Sequence, residues 1–403
     1  MAGTKAAKAK PETRGLSDRR PTFTGAARPK YMIPGRNVYD AALDRIRFVF
    51  DEFHNQVSVS TSGGKDSTVI LELASIVNNE RGLPPLDAMF LDQECEFQAT
   101  VDYMRYLMYD RDDINLRWYQ IPFLLENSTN HEDPWLKVWD TTLGPDEWMR
   151  PKEPGSIHTN RYGQDKFHEL LSSIATHDTH GATVDGMRSE ESPARRLLMT
   201  SKPMYKWTTW SAVDADPRYG GRVGQSWSHR WRFHPIYDWS YRDVWKAIDN
   251  NGWRYNAHYD HLFQHGVNVK NMRVSNFHHE TALTSLHWLQ EIEPATWEKA
   301  TQRLAGISTY GHLKSDQYPT SLPYMFKDWD EYLNYLINNL VPTTAHQDTF
   351  RKQYQRLQQA CPHIDREELA TIMVKTVIGN DLYGTATGNF MVSNRPPKKT
   401  ETP

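Results

Sequence analysis

The chain has 403 residues, 38% of them hydrophobic and 24% charged, with a formal net charge of -3, a size that accommodates one large α/β domain plus a smaller one. No apolar run approaches the roughly 20 residues needed to cross a bilayer, and Met1-Ala2-Gly3-Thr4-Lys5 lacks the hydrophobic core of a signal peptide, so no membrane association and a cytoplasmic location are expected. The two cysteines, Cys95 and Cys361, are far apart and form no Cys-x-x-Cys pattern, which excludes an iron–sulfur cluster or zinc ribbon built from cysteine alone.

In chain order, residues 1–36 are rich in Lys, Arg, Pro and Gly and poor in apolar residues, and are expected to form a disordered basic arm. Lys5, Lys8, Lys10, Arg14, Arg19, Arg20, Arg28 and Lys30 in that arm suit a nucleic-acid backbone, although basic tails often have no such role. Ala42, Ile46, Val49, Phe50 and Phe53 mark one face of a helix over 38–54. The alternation of Val57 and Val59 predicts a strand at 56–60, followed by a Ser/Gly loop and a helix at 67–78. Leu83-Pro84-Pro85 breaks the chain before a strand at 86–91. Phe97, Val101, Met104, Leu107 and Met108 then give a helix, and an alternating strand spans 114–121. This succession predicts an α/β fold with a parallel twisted sheet flanked by helices, whose ligands lie beyond the carboxyl ends of the strands.

Residues 122–163 hold Pro134, Pro145, Pro151 and Pro154 with Trp135, Trp139 and Trp148 and show little periodicity, as an ordered, aromatic-anchored insertion would. A helix at 164–176 and a strand at 182–186 follow, then a Trp/Arg-rich insertion at 203–233. Ser240 suits the N-cap of a helix with Asp243 at its third position, running to Asn250 and stopped by Gly252. Residues 273–390 read mainly as helices, near 279–291, 294–305, 328–340, 346–360 and 364–378. The expected domains are a nucleotide-binding α/β unit at 37–268, a helical C-terminal domain at 269–390 and a tail at 391–403.

Most chemistry is concentrated in Ser62-Gly63-Gly64-Lys65-Asp66-Ser67, between a strand and a helix. Gly63 and Gly64 permit close approach of an anion, the helix N-terminus directs N–H groups at it, and Lys65 adds charge. A Walker loop needs a glycine at position 59, which is Val, and Ser or Thr after the lysine, where Asp66 stands. Asp92 ends the second strand, where a carboxylate can bond ribose hydroxyls or hold Mg²⁺, or merely cap the next turn. After the fourth strand, Gly186-Met187-Arg188-Ser189-Glu190-Glu191-Ser192 offers an arginine fork suited to phosphate or sulfate, flanked by carboxylates that can orient it. His258, His261 and His265 would share one helical face, followed by His278-His279, which makes Zn²⁺ ligation one reading. With no cysteine near and 17 histidines in the chain, ordinary surface or core histidines are the expected one.

The Ser62–Ser67 sequence resembles the pyrophosphate loop of the PP-loop ATP pyrophosphatases, in the adenine nucleotide alpha-hydrolase-like superfamily. The Gly186–Ser192 stretch is similar to the second signature of the PAPS reductase and ATP sulfurylase small-subunit families. His234-Pro235-Ile236-Tyr237-Asp238-Trp239-Ser240-Tyr241-Arg242-Asp243-Val244-Trp245 is similar to their third. The resemblance implies ATP, or PAPS or APS, as ligand, with Mg²⁺. Ser62, Gly63, Gly64, Lys65, Asp66, Ser67, Asp92, Gly186, Arg188 and Glu191 are then the expected nucleotide-binding residues. Lys65, Asp66 and Arg188 are the expected catalytic residues, and Asp66 and Asp92 the Mg²⁺ ligands.

Sulfonucleotide reductases of this family use a cysteine in a C-terminal Glu-Cys-Gly-type tail, and many hold a four-cysteine cluster. This chain has Asn394-Arg395-Pro396-Pro397 near its end and Cys361 alone in Ala360-Cys361-Pro362-His363, so reductase activity is not expected. Leu91-Asp92-Gln93-Glu94-Cys95-Glu96-Phe97 with Thr100, Trp148-Met149-Arg150-Pro151, Ile292-Glu293-Pro294-Ala295-Thr296-Trp297 and Arg303-Leu304-Ala305-Gly306 resemble the cysteine-poor immunoglobulin-binding-regulator A type, often carried on phages and mobile elements. That resemblance implies a ParB/sulfiredoxin-like partner. The expected activity is adenylylation of an acceptor by ATP. A nucleic-acid acceptor fits the basic arm together with Arg218, Arg222, Arg230, Arg232, Trp227 and Trp231. A PAPS/APS enzyme borrowing a partner's thiol and a nucleotide-sensing regulator or scaffold are the alternatives.

Overall fold

Val57–Ser60 (β1) is the strand from which the molecule is organised, because the chain builds outward on one side of it and then returns to the other. The computed structural model describes residues 36–130, 132–178, 181–201, 205–213, 231–274, 276–278, 286–310 and 321–394. The first part runs α1 (Val38–Glu52), β1, α2 (Lys65–Glu80), β2 (Leu86–Leu91), α3 (Gln98–Arg105) with a π-helical turn Tyr106–Asp110, and β3 (Ile114–Tyr119). A hairpin of β4 (Phe123–Glu126) and β5 (Trp135–Val138) follows, then α4 (Phe167–Asp178), β6 (Ala182–Val184) and α5 (Pro193–Ser201). Next come β7 (Ser211–Val213), β8 (Trp231–Phe233), α6 (Tyr241–Asn251) and α7 (His258–Gln264). The remainder is helical: α8 (Leu286–Ile292), α9 (Pro294–Arg303), α10 (Ile307–Tyr310), α11 (Trp329–Asn339), α12 (Thr344–Ala360), α13 (Arg366–Ile378) and α14 (Thr385–Ser393).

The main sheet has six strands in the order β3-β2-β1-β6-β8-β7, parallel except for the edge strand β7. Val59 lies opposite Ala88 of β2 on one side and Val184 of β6 on the other. The connection reverses direction between β1 and β6, so their carboxyl ends form the switch point at which such sheets open a crevice. The expected α/β class with a helical C-terminal region is therefore what the chain adopts.

Apolar residues at helical spacing on α1 (Ile46, Val49, Phe50) and α2 (Val69, Ile70, Leu73, Val77) are buried with Val59, Phe90, Trp118, Val184 and Phe233 of the sheet. Each such side chain contributes about 1.5–3 kcal/mol by leaving water. Arg45 of α1 ties this layer to the turn before α6 through a bidentate pair with Asp238 (2.8 and 2.7 Å) and a bond to the Pro235 carbonyl (2.7 Å). Ser240 caps α6 in a capping box with Asp243, as its spacing predicts. A second core, including Phe123, Trp139, Leu170, Phe277 and Leu289, gathers the hairpin, α4 and α8–α10. A third gathers α11–α14 around Leu336, Phe350, Met373 and Val377.

Several elements differ from the expected ones. The insertion 122–163 contains the β4–β5 hairpin, paired from Phe123↔Val138 to Glu126↔Trp135, whose strands are too short to display a period. Helix α2 begins at Lys65 because Gly64 is its N-cap, and α5, β7 and β8 have no expected counterparts. The helix read at 279–291 is seen as Leu286–Ile292, its earlier part falling outside the described residues. Apart from Arg36, the basic arm lies outside them too, as do Arg218, Arg222, Trp227, Arg230 and the end of the tail. Among the described residues, no helix is long and apolar enough to cross a membrane.

Candidate functional site

The loop between β1 and α2 is shaped mainly by its own hydroxyls. Ser67 Oγ donates to the Gly64 carbonyl (2.8 Å) and accepts from the Ser62 N–H (3.2 Å), closing the turn on itself. Gly63 has φ +71°, and a Cβ there would stand 3.0 Å from both Met104 and Thr100. Asn256, fully buried, donates to the Gly63 carbonyl (3.3 Å) and to Thr100 Oγ1 (2.8 Å), locking the loop to the segment before α7. Tyr259 in α7 accepts the Lys65 backbone N–H (2.9 Å). A hydroxyl oxygen thus sits at the helix N-terminus, where an anion's oxygen would bind.

Gly186, just past β6, closes on this loop from the other side of the switch point. A Cβ on it would lie 2.5 Å from the Asp66 carbonyl carbon and oxygen, so only glycine allows the approach. That approach delivers Arg188, whose Nε donates to Asp66 Oδ1 (2.6 Å), while Lys65 Nζ reaches Asp66 Oδ2 (3.1 Å). Both cations are deeply buried, with 5% and 7% of the Arg188 and Lys65 side chains exposed. Burial pushes the Lys65 pKa below its ordinary value; Asp66 opposes this, and the charges of Arg188 and Arg273 add to it. Arg188 Nη1 also meets Glu190 (3.2 Å), a more exposed carboxylate, so Asp66 is the carboxylate that both buried cations share and an anionic ligand would compete with it for them.

The third sequence signature supports this arrangement without joining it. The Trp239 carbonyl accepts from Arg188 Nη1 (3.3 Å), and the Tyr237 carbonyl accepts from the Ser189 N–H (2.9 Å). Glu191 accepts the Arg188 N–H (2.9 Å) and pairs with Arg195, so it holds the turn. Lys65, Asp66, Gly186, Arg188 and Glu191 are thus brought together with Ser62, Gly63, Gly64 and Ser67. Tyr259, Asn256, Arg195 and Arg273 complete the surroundings. Tyr259 and Asn256 follow no loop-like pattern, and only their neighbours in space give them a role.

Asp92 is a correction. It is fully buried, and its carboxylate accepts from Trp118 Nε1 (2.7 Å), Gln120 Nε2 (3.0 Å), the Glu94 N–H (2.8 Å) and Arg150. Protein donors occupy its lone pairs, so a Mg²⁺ or ribose role does not fit its surroundings. Asp66 is likewise engaged on both oxygens by Lys65 and Arg188, and the residues present do not form a protein-held Mg²⁺ site. Among the described residues, no group of three or more His, Cys, Asp or Glu could hold a metal ion. His258, His261 and His265 form no such group, and His279 lies outside the described residues. His258 is stacked on Phe97 at 3.8 Å, and burial, reinforced by His261 and His265, pushes its pKa down to about 3. Trp231 of β8 packs on Tyr205 at 5.0 Å and Arg232 lies 3.8 Å from Asp185, so both are part of the sheet's packing.

Residues 56–265 match the phosphoadenosine phosphosulfate reductase domain. The chain belongs to that family. Residues 266–377 match a domain of unknown function, DUF3440. This PAPS-reductase-family chain is 27% identical over 338 residues to the uncharacterized protein YbdN of Escherichia coli strain K12, covering 78% of each. It is 21% identical over 224 residues to the adenosine 5'-phosphosulfate reductase of Lysinibacillus sphaericus, covering 55% of this chain and 76% of that one. Among solved structures it is similar to Candida glabrata FMN adenylyltransferase in complex with FMN and the ATP analogue AMPCPP, at 15% identity and TM-score 0.34, covering 55% of this chain and 59% of that chain. It is also similar to a PAPS reductase from Candida auris in a phosphate complex, at 14% identity and TM-score 0.30, covering 59% and 89%. The chain thus spans somewhat over half the length of the adenylyltransferase and most of that reductase.

Proposed function

We propose that this family member binds ATP at the Ser62–Ser67 loop and transfers its adenylyl group to an acceptor. The observation that carries this reading is the pair of buried cations, Lys65 and Arg188, brought together at the switch point on Asp66, with Glu190 also on Arg188. They are positioned to hold the β,γ-phosphates and to offset charge as pyrophosphate leaves. An acceptor oxygen attacks the α-phosphorus and forms the new O–P bond. The α–β phosphoanhydride bond breaks, pyrophosphate departs with the electron pair, and the acceptor's proton passes to solvent. The chain's contribution is positioning and electrostatics, with no covalent enzyme intermediate.

Reduction of a sulfonucleotide by this chain lacks a competent thiol. Cys95 is fully buried, and burial, with Glu94 next, pushes its thiol well above the ordinary range. Cys361 is buried in the third core, and burial raises its thiol as well. The finer likeness to the immunoglobulin-binding-regulator A type supports a ParB/sulfiredoxin-like protein as partner, and the basic arm supports a nucleic-acid acceptor.

The test is pyrophosphate release from ATP by the full chain, with single-stranded DNA, RNA and nucleobases offered as acceptors. Lys65→Ala is expected to slow release by about 10²–10³-fold, as when one preorganised charge partner is lost. Full activity in the Lys65→Ala, Asp66→Ala double variant overturns the proposal.

A further inference from the structure

The region after residue 265 is matched only by a domain of unknown function, yet one short stretch of it returns to the loop that follows β1. Met272 is buried against Tyr259 and Leu262, and Val274 packs both on that cluster and on the second core. With the residues on either side anchored inward, Arg273 is left exposed between them. Tyr259, which Met272 covers, is the residue that accepts the Lys65 N–H, so the anchor of Arg273 and the phosphate loop share a wall. The charge of Arg273 bears on Lys65, Arg195 and Tyr259.

The arginines of this neighbourhood differ in one respect. Arg188 pairs with Asp66 and Arg195 with Glu191, whereas Arg273 makes no hydrogen bond or ion pair with any described residue. A guanidinium without a partner among the described residues, near buried cations, raises the positive potential there. A guanidinium presents a fork that matches two phosphate oxygens. A ligand with several linked phosphates has charge to reach both Lys65 and this fork, and a monophosphate on the loop does not.

We infer that Arg273, supplied by the domain of unknown function, joins Lys65 on the terminal phosphates of the bound nucleotide and so selects a nucleoside polyphosphate over a monophosphate. The inference rests on the nucleotide reading above and adds to it a residue from outside the matched reductase domain.

Titration calorimetry of the full chain and its Arg273→Ala and Arg273→Lys variants with ATP, AMP and inorganic pyrophosphate tests it. Thermal unfolding without ligand checks that both variants fold. Loss of one charge-assisted phosphate contact predicts about tenfold weaker binding of ATP and pyrophosphate by Arg273→Ala, with AMP binding unchanged and Arg273→Lys intermediate. An Arg351→Ala variant, which removes the same charge from α12, is expected to bind all three as the parent does. Equal ATP binding by the parent and Arg273→Ala overturns the inference and leaves the nucleotide reading intact. An equal loss for AMP and ATP overturns it also, since Arg273 would then not be reading the terminal phosphates. Failure of the parent to bind any of the three ligands removes the nucleotide reading itself, and the inference with it.

Discussion

Two turns leave neighbouring parallel strands at the same edge of the sheet, Ser62–Gly64 after β1 and Asp92–Phe97 after β2, and they treat their charges in opposite ways. After β2 the carboxylates are closed off by the protein. Asp92 is met by Trp118, Gln120 and Arg150, and Glu94 by both nitrogens of an Arg303 fork (2.7 and 3.1 Å) and by the N–H groups of Trp139 (2.6 Å) and Met149 (3.1 Å). Glu94 even holds a positive φ of 63°, which this enclosure maintains. After β1 the described carboxylates do not meet every cation: Lys65 and Arg188 share Asp66, Arg188 also meets Glu190, and Arg273 pairs with nothing described. Enclosed charge stabilises an architecture, whereas a cation that the protein leaves unmatched is free to meet an anion.

The contrast breaks most decisively at Glu94. Glu94→Ala leaves Arg303 with the Lys137 carbonyl but without its carboxylate partner, and two buried N–H groups without their acceptor, and a stability loss of about 3–5 kcal/mol is expected by urea unfolding. Nucleotide affinity of the folded fraction should be unchanged. A variant as stable as the parent would show that the second turn is not the structural one.

Gly186→Ala tests the other side. Its new methyl meets the Asp66 backbone at 2.5 Å, which cannot rotate away, so β6 and α2 must part. An overpacking loss of about 1–3 kcal/mol is expected, together with weakened ATP binding from misplacement of Arg188. Calorimetry and unfolding on one preparation separate the two effects, and retained affinity would detach Arg188 from the site.

A third effect appears only with pH and concerns Glu96, whose buried carboxyl is pushed up to about 8, first by burial and then by Asp92. A carboxyl raised above its unfolded value near 4.5 binds its proton more tightly in the folded state. Its stabilising contribution is therefore complete below about pH 4.5 and is lost as pH rises through about 8. Glu96→Gln, fixed in the neutral form, should flatten that part of the stability curve. Curves that stay parallel from pH 4.5 to 8 would mean that Glu96 is already ionised in the folded protein.

Much of the fold was legible because the signals were periodic. The strands near 57–60, 86–91 and 114–119 and the helices after them carry alternation or a 3.6-residue face, and the Ser240–Asp243 cap is a local exchange of bonds. The β4–β5 hairpin and β7 and β8 were not legible, since three or four residues are too few to show a period and their pairing is fixed by distant partners. The same division runs through the site. Gly63, Gly64 and Lys65 announce an anion loop because their roles are set by backbone freedom and helix geometry within a few residues. Asp92 was misread because its type and strand-end position suit a ligand, and only the donors arriving from Trp118, Gln120 and Arg150 reveal that its lone pairs are taken.

The order of residues alone determined that a Ser/Gly loop opening on a lysine follows the first strand, that its pattern is not of the Walker kind, and that two cysteines stand far apart. These follow from local geometry and from composition, which need no distant partner. Tertiary structure decided which carboxylates are enclosed and which charges stay unmatched. It brought Gly186 against Asp66, Tyr259 onto the Lys65 N–H and the Met272–Val274 segment beside the loop. Charge balance is a property of what surrounds a group in space, and residues some 200 positions apart become neighbours only when the sheet is assembled.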